Sequence, residues 1–172
     1  MKKSLFSLVL LLTSIWVFSQ SNNLNRKIMD PKAEQEILIG YCTRDGLMSS
    51  AFATYLTDEH DKYKPDMKIV QEILPKIEDI TITVIMGTWC DDSRQQVPRF
   101  FKILDALEVT GPPVTIICVD KDKKGGPVSL DGMNLDKVPT FIFYRDKKEL
   151  GRIIETPAVT LEQDILAILS KQ

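Results

Sequence analysis

Apolar and polar positions divide the chain into blocks of different period. Ile80-Thr81-Ile82-Thr83 alternates and then runs into continuously apolar Val84-Ile85-Met86, the pattern of a buried strand that ends at Gly87. Beyond it, Val97, Phe100, Phe101, Leu104 and Leu107 recur at helical spacing. Asp91 and Asp92 fall in the first turn of that helix, where the positive end of the dipole favours acids. Gly111-Pro112-Pro113 closes the connection, and the β-branched run at residues 114–119 predicts a central parallel strand. Residues 120–136 are polar and glycine-containing and read as a solvated loop. Residues 140–144 and 150–154 predict an antiparallel hairpin around Arg145-Asp146-Lys147-Lys148. Thr160-Leu161-Glu162-Gln163 is a capping box opening a last helix, with Leu161, Ile165, Leu166, Ile168 and Leu169 apolar.

The chain before residue 80 reads as helical. Polar residues 21–30 form a flexible lead-in. Pro31, followed by Glu34 and Glu36, carries helix-start signals, with Ile37, Leu38 and Tyr41 on one face and Cys42 near the end. Arg44-Asp45-Gly46 breaks this helix. A second spans residues 47–59, with Leu47, Met48, Ala51, Phe52, Tyr55 and Leu56 as its stripe, and Phe52, Tyr55 and Tyr63 are expected in the core. A third begins at Pro65 and kinks or stops near Leu74, because Pro75 removes a backbone donor. The expected division is residues 31–79 as a helical N-terminal extension and 80–172 as the core of the fold.

The first twenty residues differ from the rest. Lys2 and Lys3 precede an apolar run at residues 5–18, and Ser19-Gln20-Ser21 follows. A basic start, a short apolar stretch and a small polar exit read as a signal peptide over residues 1–20. The expectation is a periplasmic or secreted protein with no integral membrane span once that peptide is cleaved. Cleavage would remove both lysines and take the formal net charge from −2 to −4. With 44% hydrophobic and 27% charged residues the remainder has the make-up of a globular domain, and no basic stripe argues for nucleic acid.

Export places the three cysteines in an oxidising compartment, and an odd count leaves at least one unpaired within the chain. One of them, Cys90, stands between the strand and the helix. A helix N-terminus offers free N–H groups and partial positive charge, which favour the thiolate, the nucleophilic form. Asp91 and Asp92 oppose this as neighbouring like charges, and Arg94 offsets part of their effect. Cys118, in a predicted buried strand, reads as a small core residue. His60, the single histidine, sits in a charged segment and reads as solvated. Asp120-x-Asp122 with Gly125 only faintly suggests a calcium loop, and Lys124 occupies a position that needs an oxygen ligand. The scattered cysteines and one histidine lack metal-ligand spacing, so no metal or other cofactor is expected.

Trp89-Cys90-x-x-Ser93, Pro98 eight residues after the cysteine, and the later Val138-Pro139-Thr140 resemble the thioredoxin superfamily. The resemblance covers residues 80–172. It implies an α/β thioredoxin-like fold, a central mixed β-sheet flanked by helices, here with the extra N-terminal segment. It also implies a cis bond before Pro139, Trp89 packed beside the cysteine, and Val138 presenting backbone groups to an extended substrate strand. Two departures stand out. Ser93 replaces the second cysteine of Cys-x-x-Cys, so the motif cannot close its own disulfide. Val84 stands where many thioredoxins carry a buried aspartate.

The first expectation is therefore thiol–disulfide exchange through one active-site cysteine, Cys90. Ser93 would hydrogen-bond the sulfur, with protein or small-molecule thiols and disulfides as partners. An external thiol reductant, or Cys42 as a resolving thiol, would complete the cycle. The alternative is a non-catalytic module that binds an extended peptide at Val138-Pro139.

Overall fold

The computed structural model describes residues 23–107 and 112–171. The expected signal peptide, residues 1–20, lies outside them. The architecture is mixed α/β: a six-stranded mixed sheet flanked by helices. The strands are β1 (Arg26–Asp30), β2 (Gln35–Cys42), β3 (Ile80–Met86), β4 (Val114–Cys118), β5 (Thr140–Arg145) and β6 (Lys148–Ile154), in spatial order β1-β2-β4-β3-β5-β6. The helices are α1 (Arg44–Met48), α2 (Ala53–Lys62), α3 (Met67–Ile73), α4 (Asp91–Ala106) and α5 (Leu161–Leu169). Strand β3 is central, parallel to β4 and antiparallel to β5. The β5–β6 hairpin turns at Asp146 and Lys147, both in the left-handed region.

Strand alternation sorts the core into two faces. Ile80, Ile82, Val84 and Met86 of β3, with Phe141 and Phe143 of β5, point into one cluster. Buried residues of all five helices join it, among them Leu47, Leu56, Ile73, Phe100 and Ile165. The Phe100 ring lies 4.9 Å from Phe141 and 6.5 Å from Phe143, centroid to centroid. Such pairs contribute about 0.5–1.5 kcal/mol beyond area burial. On the other face Ile85, Ile142, Val119 and Val138 form a smaller cluster, covered by Leu130, Met133 and Leu135 of the 120–139 segment. Its residues 120–136, expected as a solvated loop, thus help to close the second face of the sheet. Arg152 on β6 holds them by donating to the carbonyls of Met133 and Asn134.

The region before residue 80 corrects the sequence reading. Residues 26–42 are neither a lead-in nor a helix but the β1–β2 hairpin, with Ile28 opposite Ile37 and Arg26 opposite Ile39. Pro31, read as a helix start, begins the hairpin turn instead. Helix α1 occupies Arg44-Asp45-Gly46, the expected break, because the Thr43 side chain caps it by accepting from the Gly46 N–H. The expected helix over 47–59 is two pieces separated by residues 49–52. Ser50 receives the Phe52 N–H on its hydroxyl and donates to Leu47 O, which turns the chain there. Helix α3 ends at Ile73 and passes into a 3₁₀ turn, Leu74–Lys76, containing Pro75. Phe52 is buried and Tyr63 packs on the core, whereas Tyr55 is 39% exposed beneath the Arg94 guanidinium.

His60, expected in solvent, is half-buried and paired. Its Nε2 lies 2.8 Å from Asp105 Oδ2, and Arg44 grips the same carboxylate with two N–H groups. Arg44 and His60 hold the Asp105 carboxyl below its usual range. With Arg99 donating to Glu59, these contacts pin α2 to α4.

Candidate functional site

Strand β3 delivers Gly87-Thr88-Trp89-Cys90 to the start of α4. The Cys90 N–H donates to Gly87 O (3.0 Å), closing a tight turn, and Cys90 is the N-cap of the helix, its carbonyl accepting from the Arg94 N–H. The Cys90 side chain accepts none of the N–H groups of the first turn, which an N-cap side chain commonly does. Cys90 is partly buried and packs on the cluster of Ile85, Val119, Val138 and Ile142. Its Sγ lies 3.2 Å from the Val138 carbonyl oxygen, to which the thiol donates. The Val138–Pro139 peptide is cis. Sequence positions 48 residues apart are thereby joined at one sulfur.

Trp89 is fixed on two sides. Its indole N–H donates to Val119 O at 2.8 Å, and the Lys121 ammonium lies 4.9 Å from its ring. The indole also packs against Gly87, where an added Cβ would come within 2.6 Å of the ring. Only glycine fits there, because the tryptophan occupies the space a side chain needs.

The other residues singled out from the sequence behave differently. Ser93 is fully buried, and its hydroxyl accepts the Gly87 N–H at 3.3 Å rather than bonding the sulfur. It holds the strand end to the helix. Arg94 donates to Thr88 O, Asp91 and Gln35 and lies over Tyr55, away from the sulfur. Thr88 in turn accepts the Leu38 N–H of β2. Asp91 is exposed and paired to Arg94. Asp92 sits within electrostatic reach of Lys137, whose ammonium is raised above its ordinary value chiefly by its hydrogen bond to Glu155.

Cys42 is not brought to Cys90. It lies in the helix-side cluster, its thiol against that of Cys118, whereas Cys90 packs with the opposite cluster.

Sequence reasoning missed Asp30 altogether. This carboxylate is 3% exposed. Oδ1 accepts the N–H groups of Lys32 (2.7 Å) and Ala33 (3.2 Å), and Oδ2 that of Lys121 (2.9 Å). Burial pushes its pKa up, but the three N–H donors and the nearby Lys32 outweigh this and hold it below the usual carboxylate value. Asp30 thereby ties the β1–β2 turn to the segment carrying the Val119 and Lys121 contacts to Trp89. An acid placed before a proline was the available signal, since it favours a turn over a helix.

Among the described residues no group of three or more His, Cys, Asp or Glu could hold a metal ion. No described helix is long and apolar enough to cross a membrane. No family model matches the chain and no curated protein matches it. Among solved structures it is similar to a protein of unknown function from Pseudomonas aeruginosa, at 17% identity and a TM-score of 0.48, over 69% of this chain and 81% of that one. It is also similar to an HIV epitope scaffold, at 20% identity and a TM-score of 0.42, over 69% and 72% of the two chains.

Proposed function

We propose that this is an exported thioredoxin-like protein that carries out thiol–disulfide exchange through Cys90 alone. The observation that carries the reading is the Cys90 sulfur at a helix N-terminus, 3.2 Å from the carbonyl before cis Pro139. The Cys90 thiolate attacks a substrate disulfide, forming a mixed disulfide and releasing one substrate thiol, which takes up the displaced proton. Ser93 has no sulfur and is occupied by Gly87. A second thiol from the substrate or from an external reductant must therefore resolve the adduct. Resolution by the substrate's own thiol is isomerisation, and resolution by an external thiol is reduction. Trp89 and Val138 frame the sulfur as the surface a substrate strand meets.

One observation favours a second reading, a peptide-binding module without turnover. The thiol of Cys90 donates to the Val138 carbonyl, so the sulfur is already engaged by the protein beside the edge a bound peptide would meet. Reactivation of scrambled ribonuclease separates the two. Exchange predicts reactivation by the wild type and by a variant lacking Cys42 and Cys118, and none after Cys90→Ser. Equal reactivation by Cys90→Ser and wild type would refute exchange. Peptide affinity unchanged by Cys90→Ser, with no reactivation by either protein, would support the module.

A further inference from the structure

Cys42 and Cys118 take no part in the chemistry assigned to Cys90, yet they are placed together. Both belong to the cluster between sheet and helices, on adjacent antiparallel strands. Cys118 pairs with Gly40 and Cys42 with Ile116, so the two thiols are diagonal neighbours on one face. The Cys118 thiol hydrogen-bonds the Cys42 sulfur, and Cys42 in turn donates to Gly40 O at 3.5 Å.

The two are otherwise unequal. Cys118 is fully buried. Cys42 is 7% exposed and lines an open groove of about 570 Å³, together with Arg44, Phe101, Leu104, Pro112 and Ile116. That volume suits a small-molecule ligand, and its walls are about equally polar and apolar, with the Arg44–Asp105 ion pair among them. The hydrogen bond from Cys118 holds Cys42 below the ordinary thiol pKa, against the effect of burial. The same bond, burial and the charge on Cys42 push Cys118 well up. Cys42 thus lies at the floor of the groove, and Cys118 lies wholly beneath it.

We propose that Cys42 and Cys118 form a second thiol site, separate from Cys90, that reacts with small disulfides entering this groove and closes to a disulfide between β2 and β4. The Cys42 thiolate attacks one sulfur of R–S–S–R, forming Cys42–S–S–R and releasing RS⁻, which is protonated by the proton Cys42 gave up. Cys42 then carries no negative charge to oppose ionisation of Cys118. Cys118 loses its proton to the second RS⁻ as it attacks the Cys42 sulfur and expels that group. The net change is two RSH and one Cys42–Cys118 disulfide, with two electrons passing from the dithiol to the small disulfide. Diagonal cross-strand positions are about 7–8 Å apart, against a usual disulfide limit of about 6.8 Å between Cα atoms. Closure therefore requires a small shift of β2 against β4.

The test uses the full chain carrying Cys90→Ala and the small aromatic disulfide dithiodipyridine, whose released thiopyridone is read by absorbance. The expected result is two thiopyridones per chain, no retained pyridyl group, and a Cys42–Cys118 cross-link in a non-reducing peptide map. Adding Cys118→Ala should give one thiopyridone and a stable pyridyl adduct on Cys42. Adding Cys42→Ala instead should slow release at least about tenfold, since the remaining thiol is sealed from solvent. The proposal is overturned by pyridyl groups retained on both cysteines without a cross-link, or by no release from the folded protein. Undiminished release in the Cys42→Ala variant would also overturn it. Should the alanine variants not fold, the same peptide map on the wild-type chain decides: a link between Cys42 and Cys118 supports the proposal and one between Cys42 and Cys90 refutes it.

Discussion

Replacing Asp30 with alanine tests how the site is held in place. The carboxylate accepts three backbone N–H groups from two separate segments. A hydrogen bond to a charged acceptor contributes about 1.5–3 kcal/mol net. The full sum is not expected. The turn N–H groups of Lys32 and Ala33 can regain water, and removing a carboxylate from water already costs something in the folded state. A loss of about 2–4 kcal/mol is the working figure. The carboxyl is held below its unfolded value, so its contribution is complete above the unfolded pKa of about 3.9 and is lost as pH falls through the lower folded value. Urea unfolding followed by far-UV circular dichroism, at pH 7 and in acid, measures this. The gap between wild type and Asp30→Ala should be constant near neutrality and close below about pH 4. Because Lys121 is one of the three donors and stacks on Trp89, the variant should also alkylate faster at Cys90 in the folded state. A gap under about 0.5 kcal/mol at pH 7, the scatter of ordinary surface substitutions, would refute the reasoning. So would a gap that widens in acid.

Other substitutions probe the surrounding frame. Gly87→Ala puts a methyl group within 2.6 Å of the Trp89 ring and should cost about 1–3 kcal/mol by overpacking, with altered tryptophan fluorescence; unchanged stability and emission would mean the indole is not seated there. Tyr63 donates to the buried Glu162 carboxylate at 2.6 Å, so Tyr63→Phe should cost about 1.5–3 kcal/mol, read by thermal or urea unfolding. Burial and then Glu162 push the Tyr63 phenol up, and burial and then Glu149 raise Tyr144, so an alkaline absorbance titration should show fewer than the four tyrosines ionising before unfolding; a full count would contradict it. Ser93→Cys restores a second sulfur and should allow a disulfide between Cys90 and the introduced thiol, scored by thiol counting; failure to oxidise would mean the two positions are misaligned.

Order along the chain was legible from residue 80 onward because burial there is strong and periodic. Val84, Ile85 and Met86 are covered on both faces of a central strand, so an unbroken apolar run marks them. Thr160 caps α5 by accepting the Gln163 N–H, as its motif requires. The β1–β2 hairpin was hidden because β1 is an edge strand with exposed Lys27 and Met29, leaving little alternation to read. In β2, Ile37, Leu38 and Tyr41 fall at spacings that fit a helix equally well. The β-branched Ile37 and Ile39 beside Gly40 were the signal for a strand. At the site, Trp89, Cys90, Val138 and Pro139 were found from their motif and lie together. The partners of Ser93, Arg94 and Cys42 depend on tertiary placement that spacing along the chain does not encode. Asp30 and its donors join positions 91 residues apart, and the 120–139 segment, polar in sequence, covers a sheet face with only Leu130, Met133 and Leu135.

The most direct test of the central claim is to expose a Cys42→Ala, Cys118→Ala variant to a peptide disulfide and follow Cys90 by intact mass. The account predicts a mixed disulfide on Cys90 in the folded protein, stable until an external thiol is added and then released completely. No adduct in the folded protein, with ready reaction once it is denatured, would contradict a working thiol at Cys90 and leave the site as a binding surface.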